Sequence, residues 1–122
     1  MILEDDLKVA QTGRIIVSAC PFMSQETHSE QVGYYLCIEN QSPSKIHILS
    51  KNWHITDERG NMYCDNSVGF DGEIPALEPG ECFEFSSVAP KISPNAVFYG
   101  TCQIKSDADS CVKDIKIPAF YR

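Results

Sequence analysis

No stretch of this sequence holds the long apolar run that a membrane-spanning helix or the centre of a secretory leader requires, because its apolar residues, 43% of the chain, are spread along it. Membrane spanning and disorder are both disfavoured by that distribution. The opening residues, Met1-Ile2-Leu3-Glu4-Asp5-Asp6, carry acid where a leader carries base, so a cytoplasmic location is expected. Basic residues are scarce as well. Ten Lys and Arg stand against seventeen Asp and Glu, a formal charge of −7. Such a field repels phosphate backbones and leaves no counterion release to drive affinity, so neither nucleic acid nor a membrane is expected as a partner.

Local chemical motifs are also lacking. His28, His47 and His54 form no paired motif, and no Cys-x-x-Cys occurs, so no metal and no cofactor is expected. Asp107-Ala108-Asp109-Ser110 starts like a calcium loop but lacks the glycine and the distal glutamate that complete one, and reads as a solvated hairpin turn. No thiol or hydroxyl has a local base signature, so no catalytic residue is assigned and a non-enzyme is expected. Six cysteines, Cys20, Cys37, Cys64, Cys82, Cys102 and Cys111, would suggest disulfides in a secreted domain. In a reducing compartment they are expected to be mostly free thiols serving as small core hydrophobes. The redox state of Cys102 and Cys111, which flank the predicted turn, is left open.

What the sequence does contain is alternation. Ile15, Val17 and Ala19, then Val32, Tyr34, Leu36 and Ile38, place apolar side chains on one face of a strand. A further strand runs from about Lys45 to Thr56 with Ile46, Ile48, Trp53 and Ile55, and Asp57-Glu58-Arg59-Gly60 turns it into Asn61–Cys64. Strands resume at Glu81–Ser87 with Phe83 and Phe85 inward, at Val97–Lys105 with Phe98, Gly100, Cys102 and Ile104 on one side, and at Cys111–Ile117, where Pro118 is expected to end the ladder. Seven or more short antiparallel strands joined by Gly, Pro, Asn, Asp and Ser turns predict an all-β sandwich of immunoglobulin-like or fibronectin type III-like layout. Residues 13–122 are expected to form that domain, and residues 1–12 to be frayed or to add an edge strand. Trp53 is expected in the core, with His54 on the opposite face as an exposed polar residue.

Between Asp65 and Gly80 the breakers Gly69, Gly72, Pro75, Pro79 and Gly80 predict an ordered loop. It lacks the helix N-terminus of a phosphate-binding loop, and Asp71 and Glu73 would repel an anion. Two readings of it carry weight: a tight crossover in which Gly69 and Gly72 take positive φ, and a partner-binding loop that holds Phe70 and Asp71 as a pre-formed surface. The candidate binding residues are therefore Ser67, Gly69, Phe70, Asp71 and Gly72.

From about Gly13 to Phe120 the ordered set of motifs resembles the ApaG family. Trp53-His54-Ile55-Thr56-Asp57 with Gly60 looks like its tryptophan strand and turn. Gly69-Phe70-Asp71-Gly72-Glu73-Ile74-Pro75, Leu77, Pro79-Gly80-Glu81, Phe83, Phe85 and Ser87 look like its glycine loop and following strand. Gly100 and Ile117-Pro118-Ala119-Phe120 are similar to its closing glycine and Ile-Pro-x-Phe, whereas Ser67 stands where the loop often has its first glycine. The resemblance implies a fibronectin-like sandwich with no established enzymatic activity. Its occurrence inside larger animal proteins implies protein binding, and its loose bacterial link to cobalt and magnesium tolerance implies, as the alternative, a small-ligand or divalent-cation accessory role. A protein partner is thus expected, together with the option of a homodimer through an edge strand.

Overall fold

The computed structural model describes residues 7–24, 31–66, 70, 73–89 and 96–121. Those residues contain no helix. They form β1 (Lys8–Thr12), β2 (Ile15–Ser24), β3 (Gln31–Asn40), β4 (Ile46–Asp57), β5 (Met62–Asp65), β6 (Ala76–Leu77), β7 (Cys82–Ala89), β8 (Ala96–Ser106) and β9 (Val112–Tyr121). All pairings are antiparallel, in a four-stranded sheet ordered β1-β2-β3-β7 and a five-stranded sheet ordered β5-β4-β8-β9, to whose β4 the short β6 also pairs. The expected all-β sandwich is what the chain forms. Lys8–Thr12 form β1 at the edge of the four-stranded sheet, where it lies against β9 and receives a hydrogen bond on Thr12 Oγ1 from the Lys116 amide (3.2 Å).

The core lies between the sheets and is built by the alternation. Ile15, Val17 and Ala19 of β2 and Tyr34, Leu36 and Ile38 of β3 face Ile46, Ile48, Trp53 and Ile55 of β4 and Phe98, Cys102 and Ile104 of β8. Trp53 is wholly buried, its ring 5.0 Å from that of Tyr34 and 6.0 Å from that of Phe98. The inward residues of β4 change parity from even (Ile46, Ile48) to odd (Trp53, Ile55) because a bulge between Ile48 and Ser50 adds a residue against β8. That shift also turns Lys51 inward, and the lysine is buried.

Polar side chains hold the connections. Asp57, at the end of β4, accepts hydrogen bonds from the Arg59 and Asn61 amides (2.9 and 2.8 Å), and Gly60 takes φ 83°, so the predicted Asp57–Gly60 turn forms as read. Asn40 is fully buried. Its Nδ2 donates to the carbonyls of Ser44 and Leu77, and its Oδ1 accepts from the Ser42 amide and hydroxyl, which ties the β3–β4 turn to β6. The Asp107–Ser110 turn carries Asp109, whose carboxylate accepts from the Cys111 amide and from Lys113 Nζ (2.9 Å). Lys113 and that amide hold the Asp109 carboxyl below its usual range, and this group serves its own turn.

Three expectations are corrected. Pro118 does not end the last ladder: β9 runs on to Tyr121, with Phe120 opposite Phe98, because the register shifts at Pro118 and Ala119, where a bulge dispenses with the missing N–H. The Asp65–Gly80 stretch is not wholly irregular, since β6 and a Phe70–Glu73 bridge lie within it. Nor do the cysteines all serve the core. None of the six is in a disulfide, but Cys20 and Cys102 alone are buried, Cys37 is intermediate, and Cys64, Cys82 and Cys111 are exposed. Cys102 points inward opposite Ile115, so it does not meet the exposed Cys111.

Gly100 stands opposite Trp53, where a Cβ would run into the Asn52 carbonyl oxygen and come within 3.1 Å of Trp53 Cα. Backbone cannot yield as a flexible side chain does. Gly100→Ala is expected to cost about 3 kcal/mol, the upper end for forced overpacking. Thermal melting checks this, and an unchanged Tm would mean that β4 and β8 separate freely at this point.

Candidate functional site

The predicted binding loop falls between β5 and β6 in the chain. Of its residues, Ser67, Gly69, Asp71 and Gly72 lie outside the described residues, and Phe70 does not stand as a surface aromatic. Its ring is 3% exposed and belongs to the core, set edge-on against Phe83 (5.0 Å) and Phe85 (4.9 Å). The bridge in which Phe70 and Glu73 exchange hydrogen bonds of 2.7 and 3.0 Å folds the chain so that this ring points inward. The physical reason is area: a benzyl side chain gains more from covering two other rings than from facing water.

Beneath Phe70 sits Lys51, a residue the sequence reading passed over. Its ammonium lies 4.1 Å from the Phe85 ring centre and 5.1 Å from that of Phe70, and pairs with Asp65 at 2.8 Å. The lysine side chain is 3% exposed and that of Asp65 21%. Among the described residues, two aromatic faces and one carboxylate thus replace the water the ammonium has lost. Lys51 also stands opposite Cys102, whose thiol burial pushes up to about 12, the nearby ammonium pulling the other way. That thiol is protonated at neutral pH and inert as a nucleophile. The cluster thus joins Asp65, at the end of β5, to Phe70 through Lys51. The signal that would have found Lys51 was present in the parity change of β4.

The outer face of the five-stranded sheet presents a different surface. Register places Cys64, His54 and Tyr99 in one row across β5, β4 and β8, with Met62, Thr56 and Val97 in the next. His54 stacks on Tyr99 with ring centres 5.0 Å apart and planes 11° apart, and Cys64 Sγ lies 3.4 Å from His54 Nδ1. A cleft beside this row is lined by Asn52, Tyr99, Gly100, Lys116 and Pro118. A thiol beside an imidazole is the beginning of a nucleophilic pair, yet among the described residues no side chain hydrogen-bonds the other nitrogen of His54 to orient it as a base. Tyr99 meets the ring by its face. His54 is half-buried in this stack, so the expectation of an exposed polar residue holds only for its edge. The remaining described histidine, His47, is held by Asp107 (2.9 Å) away from both surfaces. Met62, Val97 and Tyr99 are 71%, 43% and 46% exposed, a grouping of large apolar side chains on one sheet face.

Comparison with known proteins agrees with this architecture. A family model described as the ApaG domain matches residues 22–106, from β2 through β8. Protein ApaG of Allorhizobium ampelinum is 39% identical over 88 residues, which make up 72% of this chain and 67% of that protein. Protein ApaG of Rhizobium meliloti is 35% identical over the same shares. Among solved structures, a crystal structure of a Bordetella pertussis protein described as ApaA superposes with a TM-score of 0.79 at 25% identity, covering 88% of this chain and 90% of that one. The two antiparallel sheets, the family model that spans most of them and the similarity to proteins named ApaG together show that this chain belongs to the ApaG domain family.

Proposed function

We propose that the domain is a non-enzymatic protein-recognition module that docks its partner on the outer face of the five-stranded sheet. The observation that carries this reading is the adjacency of Met62, Val97 and Tyr99, three large apolar side chains exposed in neighbouring rows of one sheet face. Apolar side chains grouped in this way, with a cleft beside them, mark interaction surfaces. The partner that suits them carries apolar side chains in a basic surround, since the domain has a formal charge of −7. With the ring of Phe70 buried, the loop's share in binding falls to Ser67, Gly69, Asp71 and Gly72, and it is the second surface to test. An edge-strand homodimer would use β7 or β5, because β1 and β9 cover one another.

The test is a cross-linking pull-down with the parent, Met62→Ser/Tyr99→Ser and Asp71→Ala forms, each checked by thermal melting. A protein retained by the parent is expected to be lost from the Met62/Tyr99 variant by roughly tenfold or more, as loss of interface anchors does, with Tm unchanged. Equal retention by that variant overturns the sheet-face surface, and loss confined to Asp71→Ala transfers the site to the loop.

A further inference from the structure

On the outer face of the other sheet, β3 and β7 run side by side with Cys37 opposite Glu84 and Glu39 opposite Cys82, so that Cys37 has Glu84 straight across and Cys82 on the diagonal. Their donor atoms, two sulfurs and a carboxylate oxygen, all lie within 4.8 Å of one another. Tyr35, the preceding outward residue of β3, neighbours both Cys37 and Glu84, and burial together with these two groups holds its hydroxyl proton on. We propose that Cys37, Cys82 and Glu84 form a three-ligand site for a thiophilic dication, zinc, with water at the fourth position.

The geometry is close to what zinc needs. Zn–S bonds of about 2.3 Å and Zn–O bonds of about 2.0–2.2 Å in a tetrahedron set the donors roughly 3.5–3.8 Å apart. Closing from a separation of at most 4.8 Å takes no more than about 1 Å, within reach of side-chain rotation at Cys82 and Glu84, which are exposed on a fixed ladder. Two thiolates select zinc over magnesium or calcium, which prefer all-oxygen shells, so this site is distinct from a magnesium-type role. Tyr35 stands beside Cys37 and Glu84 as an outer donor that could orient a sulfur or carboxylate ligand. With three protein ligands the metal keeps an open position, as catalytic or transfer sites do and closed structural sites do not. Cys64 and Cys111 are also exposed, but among the described residues neither joins a group of three such donors.

The experiment titrates the full chain, kept reduced by a phosphine, with zinc chloride against a chromophoric chelator in excess magnesium. One equivalent of zinc is expected to bind, with affinity lowered roughly tenfold or more in Cys82→Ala and in Glu84→Gln, as loss of a ligand requires. Cys64→Ser and Cys111→Ser are expected to bind like the parent. Cadmium in place of zinc is expected to give a thiolate charge-transfer absorbance that Cys82→Ala weakens, and each variant is to melt within a few degrees of the parent. The site is overturned if the parent retains no zinc, if Cys82→Ala retains it equally, if magnesium displaces it, or if Cys37 and Cys82 prove to be a disulfide under the same reductant.

Discussion

Replacing Trp53 by alanine is expected to remove about 3–5 kcal/mol of stability, the cost of deleting a large buried aromatic, and so a large part of the ~5–15 kcal/mol that holds a domain of this size together. The indole is fully buried and touches rings from both sheets, Tyr34 on β3 and Phe98 on β8, so its loss opens a cavity at the point where the layers meet. The surroundings cannot close it. Gly100, directly opposite, already lets the β8 backbone approach β4, and the Asn52 carbonyl blocks anything larger there. Urea unfolding followed by far-UV circular dichroism measures the effect, since the variant lacks the only tryptophan. Trp53→Phe is expected to lose less, because it retains an apolar ring against Tyr34. A midpoint within the error of the parent would show that the sheets do not depend on this ring for their contact.

Trp53 is legible in the sequence as a core residue and Lys51, two residues away, is not, and the two facts share one cause. Alternation is a local signal, and it reads correctly wherever a strand keeps its phase: Ile15-Val17-Ala19, Tyr34-Leu36-Ile38 and Phe98-Cys102-Ile104 all lie where the period of two puts them. A bulge resets the phase. Ile46 and Ile48 on even positions and Trp53 and Ile55 on odd ones cannot share a face of a regular strand, and that contradiction is the bulge, legible without coordinates. Pro118 misled for a related reason, because a proline excluded from a regular ladder is at home in the irregularity the ladder makes for it.

Clusters assembled across strands were not legible at all. Cys37 and Cys82, or Cys64 and His54, meet only once the register of β3 with β7 and of β4 with β5 is fixed, and no local spacing encodes that register. The absence of a Cys-x-x-Cys motif therefore excludes one way of making a thiolate site and leaves the cross-strand way untouched. The loop failed differently. An outward Phe70 follows from only one of the two readings of its glycines and proline, and the ring is drawn in by Phe83 and Phe85, whose inward direction the alternation shows but whose meeting with Phe70 it does not.

The buried lysine gives the second large expected effect, and its sign depends on which partner is removed. Asp65→Ala leaves an ammonium that is 3% exposed, facing two phenyl rings and, among the described residues, no carboxylate. Breaking a buried pair from one side costs about 3–5 kcal/mol; because Asp65 is 21% exposed, part of its attraction is already screened, and about 2–3 kcal/mol is expected. Lys51→Met works in the other direction. A thioether of similar length keeps the contact with Phe70 and Phe85, removes the charge that had to be desolvated, and leaves Asp65 able to reach water, so a change within about 1.5 kcal/mol is expected. The double variant is then expected to be more stable than Asp65→Ala alone, because the methionine has no charge left to compensate. Urea midpoints for the four proteins close the cycle and separate the pair from the other contacts Asp65 makes. If Lys51→Met proves as costly as Asp65→Ala, the ammonium is held there by more than its pairing with Asp65. The cation–aromatic contacts with Phe85 and Phe70, which methionine cannot reproduce, would then be the interaction that holds the lysine in place.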